Sequence, residues 1–225
     1  IKRFERNSVG RDLIVGDVHG CFTKLRATLE SIGFDESRDR LFSVGDLIDR
    51  GPESEQVLEW LAKPWFHAVM GNHEQMAVMF HTGECAADLY AVNGGAWFIG
   101  RTADERSSFV SGFFSLPLAI ELETEAGLVG IVHAACDFKS WDKFKSAITG
   151  GGKAAKWNAA WGRDRANGAA LGPVGGVRAV VVGHTPMEQF TKMENVHFID
   201  TGGWLKGGDT SRPLTVIDAA TLSPA

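Results

Sequence analysis

The sequence predicts an α/β fold, and three observations support that prediction. Short apolar runs recur along the chain, with the length and β-branched content of buried strands, at 12–16, 41–45, 66–70, 127–132 and 178–183. Patterns with helical spacing lie between the earlier runs. Each run ends directly in a polar motif, and open α/β sheets keep their functional sites beyond the carboxyl ends of strands. We therefore expect the site at these strand ends.

The remaining elements follow from the spacing of apolar residues. Apolar positions three and four residues apart predict three helices, at 25–32, 57–61 and 73–80. Alternation of apolar and polar residues predicts half-exposed strands, at 118–123, 196–200 and 213–218. Glycine-rich stretches predict loops near the site, at 149–152, 168–176 and 202–208. No internal repeat, low-complexity block or linker interrupts the pattern, so we expect one domain over 1–225.

Composition narrows the classes of function. The chain has 23 basic and 28 acidic residues, a formal net charge of −5, and no basic tract longer than two residues, which argues against a nucleic-acid surface. No apolar run approaches the roughly 18 residues of a membrane span, and no secretory leader pattern is visible. The three cysteines are scattered and suggest a reducing compartment. We therefore expect a cytoplasmic protein that contacts neither nucleic acid nor membrane.

Two of the polar motifs place carboxylates after strands. In G-D-V-H-G at 16–20, Asp17 and His19 are two residues apart, so both side chains can reach one metal ion. Such a pair alone is weak evidence for a metal site, and the further motifs along the chain strengthen that evidence. In G-D-L-I-D-R-G at 45–51, Asp46 could bridge two metals, Asp49 could orient a histidine, and Arg50 has a planar guanidinium suited to phosphate oxygens.

Three further motifs supply an amide and three histidines. In G-N-H-E at 71–74, Asn72 is a candidate amide ligand and His73 a candidate general acid that protonates a leaving alkoxide. Glu74 is expected to be an ordinary acid of the first helical turn. His133 and His184 end two very apolar runs, where a single histidine would be read as a buried polar group of the core. Two such histidines, beside the aspartates, favour metal ligation.

This set of motifs resembles the phosphoprotein phosphatase branch of the metallophosphoesterases. Within that branch the chain most resembles the protein phosphatase of bacteriophage lambda and its bacterial relatives, in segments that include N-G-G-A-W-F at 93–98 and W-G-R-D-R at 161–165. The resemblance implies a two-sheet β-sandwich flanked by helices, and a phosphomonoester hydrolase acting on phosphorylated serine or threonine, with tyrosine a further option. It also implies a monomer that takes phosphorylated proteins or peptides, and small phosphate esters in vitro.

The resemblance also implies roles for individual residues. Two divalent metal ions, manganese by preference with iron or zinc as alternatives, would be held by Asp17, His19, Asp46, Asn72, His133 and His184, with Asp46 between them. A hydroxide bridging the metals would attack phosphorus directly, and His73 with Asp49 would supply the acid. Arg50 and Arg163 would bind the phosphate oxygens, although Arg165 competes with Arg163 for that role.

One departure and two alternatives remain open. Relatives commonly carry arginine immediately before G-N-H-E, where this chain has Met70, so we expect weaker phosphate affinity or a shifted substrate preference. The nearest rival is a symmetrical dinucleoside tetraphosphatase, a family that usually lacks the aspartate at the position of Asp49 and reads G-N-H-D. A non-catalytic phosphate-binding module is the second alternative, although such a module should show a broken ligand or acid position, and none is broken here.

Overall fold

The computed structural model describes residues 1–205 and 213–225, which form two β-sheets flanked by α-helices. The strands, in chain order, are β1 (Lys2–Phe4), β2 (Asp12–Val15), β3 (Arg40–Ser43), β4 (Phe66–Ala68), β5 (Ala119–Thr124), β6 (Gly127–Val132), β7 (Ala179–Val182), β8 (Thr191–Met193), β9 (Val196–Phe198), β10 (Val216–Asp218) and β11 (Ser223–Pro224). The α-helices are α1 (Phe22–Ser31), α2 (Val57–Leu61), α3 (Asn72–His81), α4 (Ala87–Tyr90), α5 (Ala96–Ile99), α6 (Ala103–Phe114), α7 (Trp141–Thr149) and α8 (Lys153–Trp161).

The strand order brings two groups of parallel strands together. One sheet has the order β11-β10-β2-β3-β4, in which β2, β3 and β4 run parallel. The other has the order β1-β5-β6-β7-β9-β8, in which β6, β7 and β9 run parallel. Because the carboxyl ends of parallel strands meet at one edge of a sheet, the residues that follow these six strands gather at two neighbouring edges.

The two sheets pack face to face through an aliphatic core. Side chains from both sheets form this layer, including Ile14, Phe42, Val69, Ile120, Val129, Ile131, Val181 and Ile217, all of them fully buried. A second core lies between the five-stranded sheet and helices α1, α2, α3 and α6, and a third lies between the six-stranded sheet and helices α7 and α8. The predicted fold class, two sheets flanked by helices, is confirmed.

All five predicted apolar strands and all three predicted helices are present within two residues of their expected bounds, except that α1 begins three residues earlier than predicted. The strand at 118–123 differs in one respect, because its alternation predicts a half-exposed strand and Glu121 is only 5% exposed. Its carboxylate accepts a hydrogen bond from Nε1 of Trp141 at 2.8 Å and pairs with Nζ of Lys145 at 2.8 Å. Helix α7 thus covers the face that the sequence pattern assigns to solvent.

The loop predictions are partly confirmed. In the stretch at 149–152, residue 149 is the last of α7 and 150–152 connects α7 to α8. The stretch at 168–176 lies between α8 and β7, as expected. The stretch at 202–208 begins as a turn, and its residues 206–208 lie outside the described part of the chain. Within the described ranges, no helix combines the length and apolar character that crossing a bilayer requires. The single domain over 1–225 stays a prediction.

Candidate metal centre

The six predicted metal ligands lie beyond the ends of five of the parallel strands, where the two sheets meet. Asp17 and His19 follow β2, Asp46 follows β3, Asn72 follows β4, His133 follows β6 and His184 follows β7. All six side chains are at most 6% exposed. Polar and ionisable groups are rarely buried so completely unless they are paired or bind a metal. The structure therefore brings together every residue of the predicted ligand set.

Unusual backbone geometry aims these side chains. Of the seven non-glycine residues with positive φ in the described part of the chain, five belong to the predicted site: His19, Asp46, Asp49, Arg50 and His184. A non-glycine residue in this left-handed region costs on the order of 1–3 kcal/mol, and such residues cluster at functional sites. The fold thus places backbone strain where each strand end must turn a polar side chain inward.

Glu74 holds two of these turns together. Its carboxylate accepts hydrogen bonds from the backbone N–H groups of Asp46 at 3.0 Å, Leu47 at 2.8 Å and Gly71 at 2.8 Å. Burial, reinforced by the nearby charge of Asp46, raises its pKa to about 7. The sequence suggested an ordinary first-turn acid. Glu74 does lie in the first turn of α3, but it is fully buried, and its hydrogen bonds connect the turns after β3 and β4.

Two glycines allow carboxylates to approach the backbone closely. A Cβ atom on Gly183 would lie 2.0 Å from Oδ1 of Asp17, and one on Gly71 would lie 2.2 Å from Oδ1 of Asp46. The space made by Gly183 lets the backbone N–H of His184 donate to both oxygens of Asp17 at 3.1 Å. Glycine is therefore required at both positions because any side chain would displace a predicted ligand.

The titratable groups form two sets that could hold a metal ion, and Asp46 belongs to both. His19, Asp46 and His73 form one set, and Asp46, His133 and His184 form the other, with the ligand atoms of each set within 4.8 Å of one another. The Oδ2 atom of Asp46 lies 3.7 Å from Nε2 of His19, and its Oδ1 atom lies 3.3 Å from Nε2 of His133. The shared carboxylate is therefore placed to bridge two ions.

Asp17 and Asn72 complete the two sets. Oδ2 of Asp17 lies 3.9 Å from Nε2 of His19. Oδ1 of Asn72 lies 2.8 Å from Nε2 of His133 and 2.7 Å from Nδ1 of His184. One amide oxygen that faces two imidazoles fits a shared cation, since neutral imidazole and amide oxygen are both ligands of divalent metals.

The electrostatics of the buried groups also fit divalent metals. Burial, with the nearby charges of Asp200 and Asp46, raises the pKa of Asp17 well above its usual value. Burial lowers the pKa of His19 well below its usual value and that of His184 to about 3, so both imidazoles are neutral and able to bind a metal. The Nε2 atom of His184 is buried and has no hydrogen-bond partner among the described residues.

His73, which belongs to the first of these sets, also forms a buried pair with Asp49. Nδ1 of His73 lies 2.7 Å from Oδ2 of Asp49, and its Nε2 lies 3.9 Å from Oδ2 of Asp46. The other oxygen of Asp49 accepts hydrogen bonds from the hydroxyl of Tyr90 at 3.2 Å and from Nε1 of Trp97 at 2.7 Å. The sequence pattern does not indicate a role for Tyr90 or Trp97, although Trp97 lies within the N-G-G-A-W-F segment at 93–98.

The three arginines of the predicted motifs occupy different places. Nη1 of Arg50 lies 2.8 Å from Nε2 of His19, at the metal-binding sets. Arg163 is exposed and donates from Nη1 to Oγ1 of Thr185 at 3.4 Å, next to His184. Arg165 is 5% exposed, and it lines a small cavity with Cys136 and Arg163 but makes no hydrogen bond to a residue next to the predicted ligands among the contacts of the described residues. The structure thus places Arg163, and not Arg165, beside the predicted ligands.

Two further residues near the site were missed from the sequence. Asp200 follows β9 and is 2% exposed, and Trp204 packs against the ring of His19 with 4.3 Å between centroids. The signal for Asp200 was present, since it follows an apolar strand and shortly precedes Gly202 and Gly203, much as Asp17, Asp46 and His184 follow strands and adjoin glycines. That strand was read only as half-exposed, although β9 is fully buried.

Comparison with known proteins agrees with this geometry. The pattern of the calcineurin-like phosphoesterase family matches residues 11–214. Serine/threonine-protein phosphatase 1 of Salmonella typhimurium is 35% identical over 211 residues, covering 92% of this chain and 93% of the relative. Serine/threonine-protein phosphatase 2 of Escherichia coli is 34% identical over 196 residues, covering 84% and 86%. The predicted likeness to metallophosphoesterases is confirmed, and the particular likeness to the phage lambda enzyme stays a prediction.

A second group of relatives matches a shorter part of the chain. A symmetrical bis(5'-nucleosyl)-tetraphosphatase from Hamiltonella defensa is 44% identical over 73 residues, which cover 31% of this chain and 26% of the relative. Among solved structures, a candidate diadenosine tetraphosphatase aligns with a TM-score of 0.64 at 19% identity, covering 100% of this chain and 96% of the other. A protein serine/threonine phosphatase from Saccharomyces cerevisiae aligns with a TM-score of 0.61 at 17% identity, covering 97% and 82%. These structural likenesses show the fold alone.

Proposed function

This chain belongs to the calcineurin-like phosphoesterase family, and from that premise we propose that it is a metal-dependent phosphomonoester hydrolase that acts as a serine/threonine protein phosphatase. One observation carries the proposal. His73 and Asp49 form a buried pair joined at 2.7 Å, and the other ring nitrogen of His73 faces Asp46, the carboxylate that the two sets of candidate metal ligands share. A structural metal site needs no such acid pair, whereas cleavage of a phosphate ester needs a proton for the leaving alkoxide.

Two divalent ions fit the side chains at the centre. Asp17, His19 and Asp46 would hold one ion, and Asp46, Asn72, His133 and His184 would hold the other. Manganese is the ion that the family resemblance favours, and oxygen and imidazole ligands equally suit iron and zinc. When bound, such a pair supplies Lewis acidity and activates water as a nucleophile at neutral pH.

His73 would protonate the leaving group. Because Oδ2 of Asp49 faces Nδ1 of the imidazole, the pair favours the form in which Nδ1 carries its proton toward Asp49. Nε2, on the side of Asp46, is then the atom that gives a proton to the departing oxygen. Tyr90 and Trp97 both donate to the far oxygen of Asp49, so the carboxylate keeps its orientation through the reaction.

Arg50 and Arg163 would bind the phosphate oxygens. They lie on opposite sides of the centre, Arg50 beside His19 and Arg163 beside His184 through Thr185. Arg50 donates to Nε2 of His19, the atom expected to bind metal, so its guanidinium must turn from that nitrogen when the centre is loaded. A planar guanidinium so released can donate two hydrogen bonds to one phosphate.

The main alternative is a symmetrical dinucleoside tetraphosphatase. The aspartate at position 49 and the glutamate at position 74 favour the protein phosphatase, and so do the phosphatase relatives that match nearly the whole chain. Met70 and the relatives that match about a third of the chain favour the tetraphosphatase. A non-catalytic binding module is disfavoured because every ligand and the acid pair are present and buried together. We also propose that residues 1–225 act as one domain.

Hydrolysis of two substrates side by side tests the proposal. Metal-stripped protein, with and without added manganese, is assayed on p-nitrophenyl phosphate and on diadenosine tetraphosphate, with His73→Asn as the matched variant. We expect manganese-dependent release from the aryl phosphate that falls in the variant, and dephosphorylation of a phosphoserine peptide under the same conditions. Preferential cleavage of the dinucleotide would show that the protein is a dinucleoside tetraphosphatase. Bound metal without activity on any of the three substrates would favour the binding module.

A further inference from the structure

An aromatic ring lies between the metal-binding sets and one of the phosphate-binding arginines. The guanidinium of Arg50 sits over the ring of Trp204, with its carbon 4.3 Å from the ring centroid. The same indole contacts the ring of His19 at 4.3 Å between centroids, at an interplanar angle of 64°. Trp204 thus touches Arg50 and a predicted metal ligand at once.

The indole is fixed from behind by a buried carboxylate. Nε1 of Trp204 donates to Oδ1 of Asp200 at 3.1 Å, and the same oxygen accepts from the backbone N–H of Gly202 at 2.9 Å. Asp200 is 2% exposed. The orientation of the indole plane is therefore set by a group that cannot easily move, and the π-face is left for Arg50.

The turn that carries Trp204 is held in place too. A Cβ atom on Gly203 would lie 2.5 Å from the carbonyl oxygen of Pro213, so the chain passes there at a distance that only glycine permits. Nζ of Lys24 donates to the carbonyl of Gly203, and the hydroxyls of Thr201 and Thr215 are 2.6 Å apart. These contacts tie the turn to α1 and to the segment that leads into β10.

Arg50 forms no ion pair with a carboxylate in the described ranges, although its charge acts on the buried carboxyl of Asp17. Its guanidinium there contacts Nε2 of His19 and the face of Trp204. The contact with His19 would be lost when a metal ion takes the lone pair of Nε2. The contact with the Trp204 ring would remain because it does not use that lone pair. An aromatic face attracts a guanidinium without occupying its N–H donors, which stay free for an anion.

We infer that Trp204 is a positioning residue for Arg50, which it holds at the mouth of the metal centre so that the guanidinium meets a phosphate oxygen. This inference rests on the proposed function only in that Arg50 contacts phosphate. It assigns to Trp204 a part in phosphate affinity and not in the chemical step. The substrate side of the centre would then be formed by Arg50 on an indole platform, opposite Arg163.

Binding of inorganic phosphate to the manganese-loaded protein tests the inference directly. We expect Trp204→Ala to weaken phosphate binding, measured by calorimetry, by about 3- to 30-fold, which is the range of a cation–π contact. The KM for p-nitrophenyl phosphate should rise by a similar factor with little change in kcat. Trp204→Phe should recover most of the affinity because the ring face remains, and Phe114→Ala, an exposed aromatic residue on α6, should change neither quantity.

A double-mutant cycle separates positioning from a general structural effect. In an Arg50→Ala background, Trp204→Ala should cause no further loss of phosphate affinity. An equal loss with and without Arg50 would overturn the inference, as would a fall in bound manganese in Trp204→Ala, which would mean that the indole acts on His19. Phosphate affinity does not depend on which ester is cleaved. A Trp204-dependent affinity in a protein inactive on every ester would therefore keep the inference while the proposed function fails.

Discussion

The Oδ2 atom of Asp49 lies 2.7 Å from Nδ1 of His73, and the opposite oxygen of the same carboxylate accepts from both Tyr90 and Trp97. Two donors at one oxygen and an imidazole at the other leave the carboxylate a single useful orientation. Both carboxylate oxygens of Asp49 are therefore engaged in contacts that hold one histidine in position.

This arrangement predicts a specific defect for Asp49→Asn. Since Tyr90 and Trp97 both donate to the Oδ1 position, the amide oxygen must face them and the amide N–H₂ must face Nδ1 of His73. The imidazole then becomes a neutral tautomer that accepts at Nδ1 and is a poor acid at Nε2. We expect kcat to fall by about 10²- to 10⁴-fold, the usual contribution of a general acid, with KM little changed.

The leaving group distinguishes this defect from simple loss of structure. Phenyl phosphate has a more basic leaving group than p-nitrophenyl phosphate, so Asp49→Asn should slow phenyl phosphate hydrolysis by the larger factor. Trp97→Phe, which removes one donor and keeps the carboxylate, is the matched control and should lose less. Equal losses on both esters would show that His73 does not protonate the leaving group.

Met70→Arg should strengthen substrate binding. Met70 is half-buried directly before the turn that carries Asn72 and His73, at the position where the family resemblance leads us to expect arginine. A hydrogen bond to a charged group contributes about 1.5–3 kcal/mol, so the KM for p-nitrophenyl phosphate should fall by roughly tenfold or more. Met70→Gln adds a polar group without charge and should have little effect. An unchanged KM in Met70→Arg would show that no phosphate oxygen is within reach of position 70.

The fold and the clustering of the predicted ligands could be predicted because both depend on local pattern. Apolar runs of strand length that end in aspartate, asparagine or histidine mark buried parallel strands and, through topology, a shared edge. The β-sheet contacts themselves are long-range, for example Val181 with His197 and Val15 with Val216, but they do not need to be known to predict the edge.

Other features could not be read from local pattern because they depend on what packs against a residue. The alternation of apolar and polar residues predicts that Glu121 faces solvent. It is buried because Trp141 and Lys145 of helix α7 pack against it. Tyr90 and Trp97 reach Asp49 from more than 40 residues away along the chain. Asp200 and Trp204 lie beyond the end of β9. With three residues each, β9 and β4 are the shortest of the parallel strands that lead to the site.

Gly183→Ala should remove one metal ion. The added Cβ would lie 2.0 Å from Oδ1 of Asp17 and 2.5 Å from Cγ2 of Val44, so the carboxylate must leave its place beside the His184 N–H. We expect manganese stoichiometry to fall from two ions per chain toward one, with affinity at the remaining site weakened by about 10- to 100-fold. Elemental analysis after gel filtration measures the stoichiometry. In Gly100→Ala, where the nearest atom to the new Cβ is 3.7 Å away, both ions should remain.

We expect the metal-free protein to lose stability in mild acid because of two histidines that lie outside the metal centre. Burial, with the positive charges of Lys192 and Arg178, lowers the pKa of His197 to about 4, and burial, with Lys2 and Arg40, does the same for His67. Unfolding returns each imidazole to a pKa of about 6.5, so between pH 6.5 and 4 the unfolded chain binds more protons than the folded chain. Their contribution to stability is therefore complete above pH 6.5 and is lost as the pH falls toward 4.

Urea unfolding of chelator-treated protein at pH 7 and pH 5 measures this loss without interference from metal release. We expect the free energy of unfolding to fall by roughly 1 kcal/mol per histidine at pH 5, after allowance for solvent screening. In His197→Phe the pH-dependent part should shrink because the ring can no longer take up a proton. The substitution also removes the buried Nδ1 of His197, which has no hydrogen-bond partner among the described residues. If His197→Phe lost as much stability between pH 7 and pH 5 as the unmodified chain, the acid sensitivity would have to come from groups other than His197.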